Sequence, residues 1–394
     1  MTSEVLLPDN TNAERLAPLD VSGRLDRLRA LFASAGEGHP PLDGLLVTTP
    51  ANIRWLSGFS GSAGLLLVTG DDAVLTTDGR YRTQSHEQLD AAGVGGEISV
   101  HVGGVQSQRD ELVARSARAG ALGLEADTVT WTALRTFEEL LTPPLVATRG
   151  MVEGLRLVKD AGEVLRMERA ASIADRALEA VLPLLAGAAG AGSGQDGELT
   201  ESQFAAALDH AMRRLGAEES AFETIVASGE NSAKPHARPG DRPIRAGDPV
   251  VVDFGAVFDG YRSDMTRTFC IGGAPTGELA TVFEVVAESQ RAGVQAVVPG
   301  VTAGSVDQAC REVIAESGWA ERFEHGTGHG VGLDIHEGPS VGPGSTAILA
   351  PGTVVTVEPG VYLPGTGGVR IEDTLVVTSN GSRALTLFPK EVVV

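Results

Sequence analysis

Four carboxylates of the 394-residue chain are spaced so that two turns would bring them into pairs. In VVVDFGAVFDGYRSDMTRTF (250–269) the Asp259-Gly260 step is a strong two-residue hairpin signal. A turn centred there sets Phe258 against Tyr261, Gly255 against Asp264 and Asp253 against Thr266. Asp253 and Asp264 then lie diagonally on one face, with backbones ~7–8 Å apart. In TVVTVEPGVYLPGTGGVRIEDTLVV (353–377) the glycine-rich stretch 364–368 is the turn. Glu358 and Glu372 are equidistant from residue 365 and should face each other. Arg370 shares the face of Glu372 because strand side chains alternate, and Asp373 points away. Like charges across a sheet repel, and four together in a cleft hardly ionise unless cations compensate them. Four unrelated surface carboxylates are the alternative. The symmetric spacing about both turns, inside apolar strands, argues against it.

HGTGHGVGLDIHEGP (325–339) holds His325, His329 and His336, three of the eight histidines, in a glycine-rich stretch unsuited to regular packing. One nitrogen from this stretch among several carboxylate oxygens suits a hard divalent cation such as Mn²⁺, and a carboxylate bridging two metals is the usual dinuclear device. No HExxH occurs, so a zincin site is excluded. His236 sits in the turn-rich loop ASGENSAKPHARPG (227–240). A P-loop, a GxSxG elbow and a GxGxxG between strand and helix are all lacking.

These motifs must be held by a folded frame, and the composition permits one. Hydrophobic residues make up 42% and the net charge is −21. That acidity argues against nucleic acid or an anionic membrane as partner, since both need a basic face. Two cysteines exclude a disulfide framework and a cysteine-rich zinc site. The first residues carry neither a basic nor an apolar signal-peptide region, and the least polar stretch, 180–194, is too short and glycine-rich to cross a bilayer. The expectation is a cytoplasmic protein.

Along the chain, 1–20 reads as a flexible lead-in and 21–148 as an α/β domain. Its strands are expected at 42–47 and 64–70, with a hairpin turning at 70–72 and helices near 24–34, 80–90, 107–118 and 130–141. Residues 149–158 read as a linker. From 159 to 394 the pattern is α+β, helices around an antiparallel sheet. Capping boxes at Asp160-x-x-Glu163 and Thr200-x-x-Gln203 open two helices, with further helices expected at 277–298 and 305–317. Strands are expected at 223–228, 249–271, 353–363 and 368–378. The stretch 187–197 reads as a loop insertion of flexible composition.

The motifs SGENSAKPH, VVDFGAVFDGYRSDMTRTF, HGTGHGVGLDIHEGP, TVEPGVY and GVRIEDT, in this order over about 227–378, resemble those of the pita-bread metallopeptidases: methionyl aminopeptidase, aminopeptidase P and prolidase. The resemblance implies a pita-bread catalytic domain with two divalent metal ions per chain, Mn²⁺ foremost and Co²⁺ or Zn²⁺ as alternatives. It makes Asp253, Asp264, His329, Glu358 and Glu372 the ligands, with Asp264 and Glu372 as bridges and Glu358 as acid/base carboxylate. His236 and His336 match histidines that contact substrate or steady the tetrahedral intermediate. His325 lies beside the substrate pocket, and Arg370 matches an arginine that orders the surroundings of the ligands and counts with the substrate-binding set. NIRWLSGFSGSAG (52–64) and TDGRYRTQ (77–84) resemble the creatinase-like N-terminal domain, which methionyl aminopeptidases lack. Creatinase lacks the five ligands. The implied function is an aminopeptidase releasing the residue before proline from Xaa-Pro peptides, acting as a homodimer or higher homo-oligomer. A Xaa-Pro dipeptidase (prolidase) is the alternative, and a non-enzymatic peptide-binding module the remote one. His325 and His336, with Val331 and Leu333, are the expected surface for the proline ring.

Overall fold

The computed structural model describes residues 16–33, 41–188, 198–390 and 393–394. Most of the lead-in and of the 187–197 insertion therefore lies outside the described residues. The chain divides into two compact units between Arg156 and Leu157, within the stretch expected as a linker. No helix among the described residues is long and apolar enough to cross a membrane.

The first unit contains α1 (Arg24–Phe32), β1 (Gly44–Val47), α2 (Pro50–Ser57), β2 (Gly64–Thr69), β3 (Ala73–Thr77), α3 (Arg82–Ala91), β4 (Ser99–Val102), α4 (Val105–Ser116), β5 (Leu122–Glu125), α5 (Trp131–Leu140), β6 (Leu145–Thr148) and α6 (Met151–Arg156). The strands form one sheet in the order β4-β3-β2-β1-β5-β6. β1 to β3 pair antiparallel, and the outer pairs are parallel. The hairpin turns at Gly70–Asp72 as its sequence requires. Leu46, Leu67, Val74, Leu112, Leu122, Leu124 and Phe137 join in one core. α6 fills most of the stretch 149–158 read as a linker, and the sequence pattern predicts neither it nor α2. Pro50 opens α2 at the first turn, where the missing N–H costs nothing.

The second unit runs α7 (Ala161–Ala188), α8 (Glu201–Arg214), β7 (Ile225–Ser228), β8 (Pro249–Phe254), β9 (Val257–Phe258), β10 (Tyr261–Arg262), β11 (Met265–Cys270), α9 (Gly277–Ala296), α10 (Ala303–Glu316), β12 (Gly328–Gly330), β13 (Glu337–Val341), β14 (Val354–Val357), β15 (Gly360–Leu363), β16 (Gly367–Arg370), β17 (Asp373–Thr378) and β18 (Gly381–Ala384). Both capping boxes form. The Asp160 amide donates to Glu163 Oε2 at 3.0 Å and the Glu163 amide to Asp160 Oδ1 at 2.9 Å, and Thr200 and Gln203 exchange the equivalent pair. α7 continues through Gly187 and Ala188, so the insertion's first two residues are helical rather than loop.

The strands pair antiparallel throughout, in a three-stranded sheet β11-β8-β7, a five-stranded sheet β13-β12-β14-β17-β18 and two short ribbons. Period-two alternation decides what each strand presents. Val250, Val252 and Phe254 of β8 and Met265 and Phe269 of β11 join the core beneath α7 and α8. Asp253, Asp264, Thr266 and Thr268 consequently face the other way. Val355 and Val357 of β14 and Leu375 and Val377 of β17 join the core beneath α9 and α10, which turns Thr356, Glu358, Glu372 and Thr374 to the opposite face. The carboxylates thus occupy the sheet faces left over once the helices have covered the apolar ones.

Candidate metal centre

The first hairpin has the register its sequence demands. Asp259 and Gly260 both adopt positive φ, 46° and 74°, as a mirror-image turn needs. Phe258 pairs with Tyr261 and Asp253 with Thr266. Between these two ribbons the ladder breaks at Gly255, where any Cβ would collide with Ser263 O. In the second hairpin Val357 pairs with Asp373 and Gly360 with Arg370. Glu358 and Glu372 therefore keep one register across the interruption at Pro359.

The two hairpins are stitched together by the threonines of β11. Thr266 Oγ1 donates to Glu372 Oε2 at 2.8 Å, and Thr268 Oγ1 to Arg370 O at 2.7 Å. Arg370, buried, spends its guanidinium entirely inside this joint. Nη2 reaches Asp253 Oδ2 at 2.6 Å, Nε reaches Thr266 Oγ1 at 3.1 Å, and Nη1 reaches Tyr362 OH at 2.8 Å and Pro235 O at 3.2 Å. Its observed place is that of a group ordering the carboxylates.

His329 enters from β12. Its Nδ1 donates to Gly330 O at 3.0 Å, since a carbonyl can only accept, and this leaves the Nε2 lone pair directed at the carboxylates. Nε2 lies 3.5 Å from Asp264 Oδ2 and 3.4 Å from Glu358 Oε1. Thr356 Oγ1 links the two sides, accepting from the His329 amide and donating to Glu358 Oε1, both at 3.1 Å.

A cleft of about 640 Å³ is lined by Asp253, Asp264, His329, Glu358 and Glu372 together with His236, His325, His336 and Arg370. All nine residues singled out in the sequence thus meet in one place. Asp264, His329 and Glu372 offer ligand atoms within 4.8 Å of one another. Asp253 Oδ1 and Glu372 Oε1 are buried without a hydrogen-bond partner. Burial, then the charges of Asp253 and Glu358, push the Asp264 carboxyl well above the usual range. Burial and the charge of Asp264 do the same for Glu372, and burial takes Glu358 to about 8. Crowded acidic oxygens, two of them orphaned, with one neutral imidazole nitrogen, are a donor set that fits hard divalent cations.

The remaining histidines differ in kind. His325 has both ring nitrogens engaged, Nδ1 donating to Gly326 O at 2.8 Å and Nε2 accepting from Tyr362 OH at 2.9 Å. Burial lowers its pKa to about 4, so it is neutral. His336 and His236 are exposed in the cleft wall. The His336 ring stands edge-on to that of His329, centroids 4.4 Å apart.

One expectation fails. Val331 is buried completely and Leu333 nearly so, and neither lines the cleft. The apolar wall comes instead from Phe222, Ile225, Pro235, Ala237 and Ile335. The segment between β12 and β13 has no strand period, so alternation could not say which of Val331, Leu333 and Ile335 faces outward. Tyr362, Thr266 and Thr356 also escaped sequence reasoning as parts of the site. Thr266 alone had a signal, its place opposite Asp253.

Comparison with known proteins identifies the family. Residues 166–379, more than half of the chain, match the profile of metallopeptidase family M24. The chain belongs to family M24. Residues 24–158 match the creatinase/prolidase N-terminal domain, so the α/β and pita-bread architecture is that of this family, and the chain is a hydrolase. The chain is 40% identical to the peptidase YqhT of Bacillus subtilis, over 94% of this chain and 99% of that one. A solved Xaa-Pro dipeptidase from Bacillus anthracis superposes with a TM-score of 0.86 at 38% identity, covering 95% and 100%. An X-Pro aminopeptidase from Thermotoga maritima does so with 0.79 at 33% identity, covering 90% and 98%.

Proposed function

We propose that this M24 peptidase is an aminopeptidase that hydrolyses the bond between an N-terminal residue and proline, using two divalent cations, Mn²⁺ foremost. Asp253, Asp264, His329, Glu358 and Glu372 would hold them, with Asp264 and Glu372 shared between the two. When bound, the cations supply Lewis acidity and a nucleophile near neutral pH. The chain's own residues do the rest. Proline's nitrogen has no N–H and must gain a proton as it departs. Glu358, part-buried and held by Thr356 Oγ1, is the group that takes up a proton and returns it to that nitrogen. His336 and His236, exposed in the cleft wall, contact the substrate carbonyl and steady its developing charge. Phe222, Ile225 and Ile335 offer the proline ring an apolar surface.

The observation that carries the aminopeptidase reading is the cleft's supply of cations. A dipeptidase needs one for the C-terminal carboxylate of its substrate. Among the described lining residues the arginines are Arg370, which is spent on Asp253 and its neighbours, and Arg238, whose side chain is 83% exposed and paired with Glu223. An open rim of this kind suits a longer peptide. The dipeptidase reading is favoured by the name of the Bacillus anthracis relative, and Arg238 is then the residue that must receive the carboxylate. Assembly as a homodimer or larger homo-oligomer and a cytoplasmic setting belong to the same proposal. Cys270 and Cys310 are buried and unpaired, which accords with a reducing compartment. Product analysis with Mn²⁺ supplied decides between the readings. Release of the first residue from Xaa-Pro-Yaa and longer peptides, with Xaa-Pro slower, is expected. Turnover of Xaa-Pro alone would replace aminopeptidase by dipeptidase.

A further inference from the structure

The loop that carries His236 is closed at its base by one buried carboxylate that the reaction does not use. Glu201, in the first turn of α8, is fully buried. Its Oε1 accepts from the amide and the hydroxyl of Ser228, each at 2.7 Å, and its Oε2 accepts from the amide of Gly240 at 3.1 Å. Asn231 Nδ2 lies 3.1 Å from Oε1 and 3.3 Å from Oε2. Ser228 is where the chain leaves β7, and Gly240 is where it returns beyond His236. Backbone contacts seal the same point, with Ser202 N donating to Gly240 O at 3.0 Å and Glu201 N to Arg242 O at 3.1 Å. Arg242 in turn donates to Ser228 Oγ at 2.6 Å and pairs with Asp248.

Farther along, the loop leans on the second hairpin. Gly368 N donates to Ser232 Oγ at 2.8 Å, and Arg370 Nη1 to Pro235 O at 3.2 Å. A Cβ at Gly368 would collide with Ser232 O, so the approach is close. Among the described residues no hydrogen bond holds the His236 ring, which stands exposed in the cleft wall. Its position is therefore set by the path of its backbone.

Building on the reading of His236 as a substrate-contacting group, we propose that Glu201 is a positioning residue that fixes His236 by binding both stems of its loop. A carboxylate is needed because all of the partners are donors, and a backbone N–H meets each oxygen. Glu201→Gln keeps the volume and can still accept from Ser228. It must turn its NH₂ toward the Gly240 amide, where two donors meet and the bond is lost. The return stem is released without removing any group of the centre itself.

The test is a cycle on the metal-loaded full chain, comparing Glu201→Gln, His236→Ala and the double variant on a Xaa-Pro-Yaa peptide, with amide hydrogen exchange over 228–240. Glu201→Gln is expected to retain metal and to lose about 10- to 100-fold in kcat, the scale of a displacement near 1 Å. In the His236→Ala background it should cost less than about threefold, because the two losses share one cause and do not add. Exchange at Ser228 to Gly240 should quicken. Equal losses in both backgrounds would make Glu201 a general stabiliser and overturn the proposal, and so would unchanged exchange. Full activity of His236→Ala alone would instead overturn the assignment of His236, and the exchange measurement would still decide whether Glu201 holds the loop.

Discussion

Arg370 and Asp253 join the two hairpins through an ion pair whose arginine is buried and whose carboxylate is part-buried, with Arg370 Nη2 at 2.6 Å from Asp253 Oδ2. The other oxygen of Asp253 is the orphaned one. The arginine thus fixes the carboxylate's rotamer and leaves one oxygen for another partner. Arg370→Ala should leave the part-buried Asp253 carboxylate without its partner at a cost of about 3 kcal/mol, the low end for a fully buried pair. It should also weaken metal binding by about 10- to 100-fold, as removal of an outer-shell partner does. Arg370→Lys keeps the charge but cannot serve Asp253, Thr266 and Tyr362 at once, so it should recover stability better than activity. Thermal melts and metal titrations of the two variants check this. A lysine variant with full activity would show that the guanidinium's fork is not required.

Asp264 and Glu372, with His329, offer ligand atoms within 4.8 Å of one another. On the proposed two-cation reading, replacing either carboxylate by Ala should drop metal content below two per chain and reduce activity by more than the ~100-fold typical of outer-shell partners. Elemental analysis alongside kcat/KM measures both. Two tightly held cations with intact activity in Asp264→Ala would sink the ligand assignment.

The carboxylate geometry could be read from sequence because a turn and a period of two determine it. Asp259-Gly260 fixes which residues pair, and pairing fixes Asp253 opposite Thr266. The second hairpin tolerates Pro359 because the residue count on both sides stays equal, so 357/373 and 360/370 remain in one register. Where period is lacking, inference fails. Val331, Leu333 and Ile335 share a spacing but follow an irregular path, and only Ile335 reaches the cleft. The antiparallel sheet of the second half is divided at Gly255 and Pro359, each of which interrupts a ladder that hydropathy alone shows as continuous. The clamp at Glu201 depends on partners 27 to 39 residues away, beyond any local pattern.

His236 and His329 lie in one cleft but differ in what holds them. His329 has Nδ1 fixed by Gly330 O and Nε2 beside two carboxylates, whereas His236 stands exposed. His236→Ala is expected to bind metal as the parent does and to lose about 10²–10³-fold in rate, the scale of removing one donor that steadies the developing charge. His329→Ala should lose occupancy as well. Parallel titrations with Mn²⁺ separate the two, and identical curves would remove the distinction between ligand and substrate-contacting histidine.

Chelation should destabilise the protein, and more so at high pH. In the metal-free chain Asp264, Glu358 and Glu372 have carboxyl groups raised above their unfolded values, Glu358 to about 8. Raised groups bind protons more tightly in the folded state. Their contribution is fully present below the unfolded value near ~4 and is lost as pH climbs through the folded one. Bound cations reverse the sign, since they hold the same carboxylates ionised and binding releases protons. The drop in Tm on adding a chelator should therefore be small near about pH 5.5 and large near about pH 8.5. Melting curves with and without chelator across that window test it. A chelator effect that shrank with rising pH would mean that these carboxylates are not held together by metal.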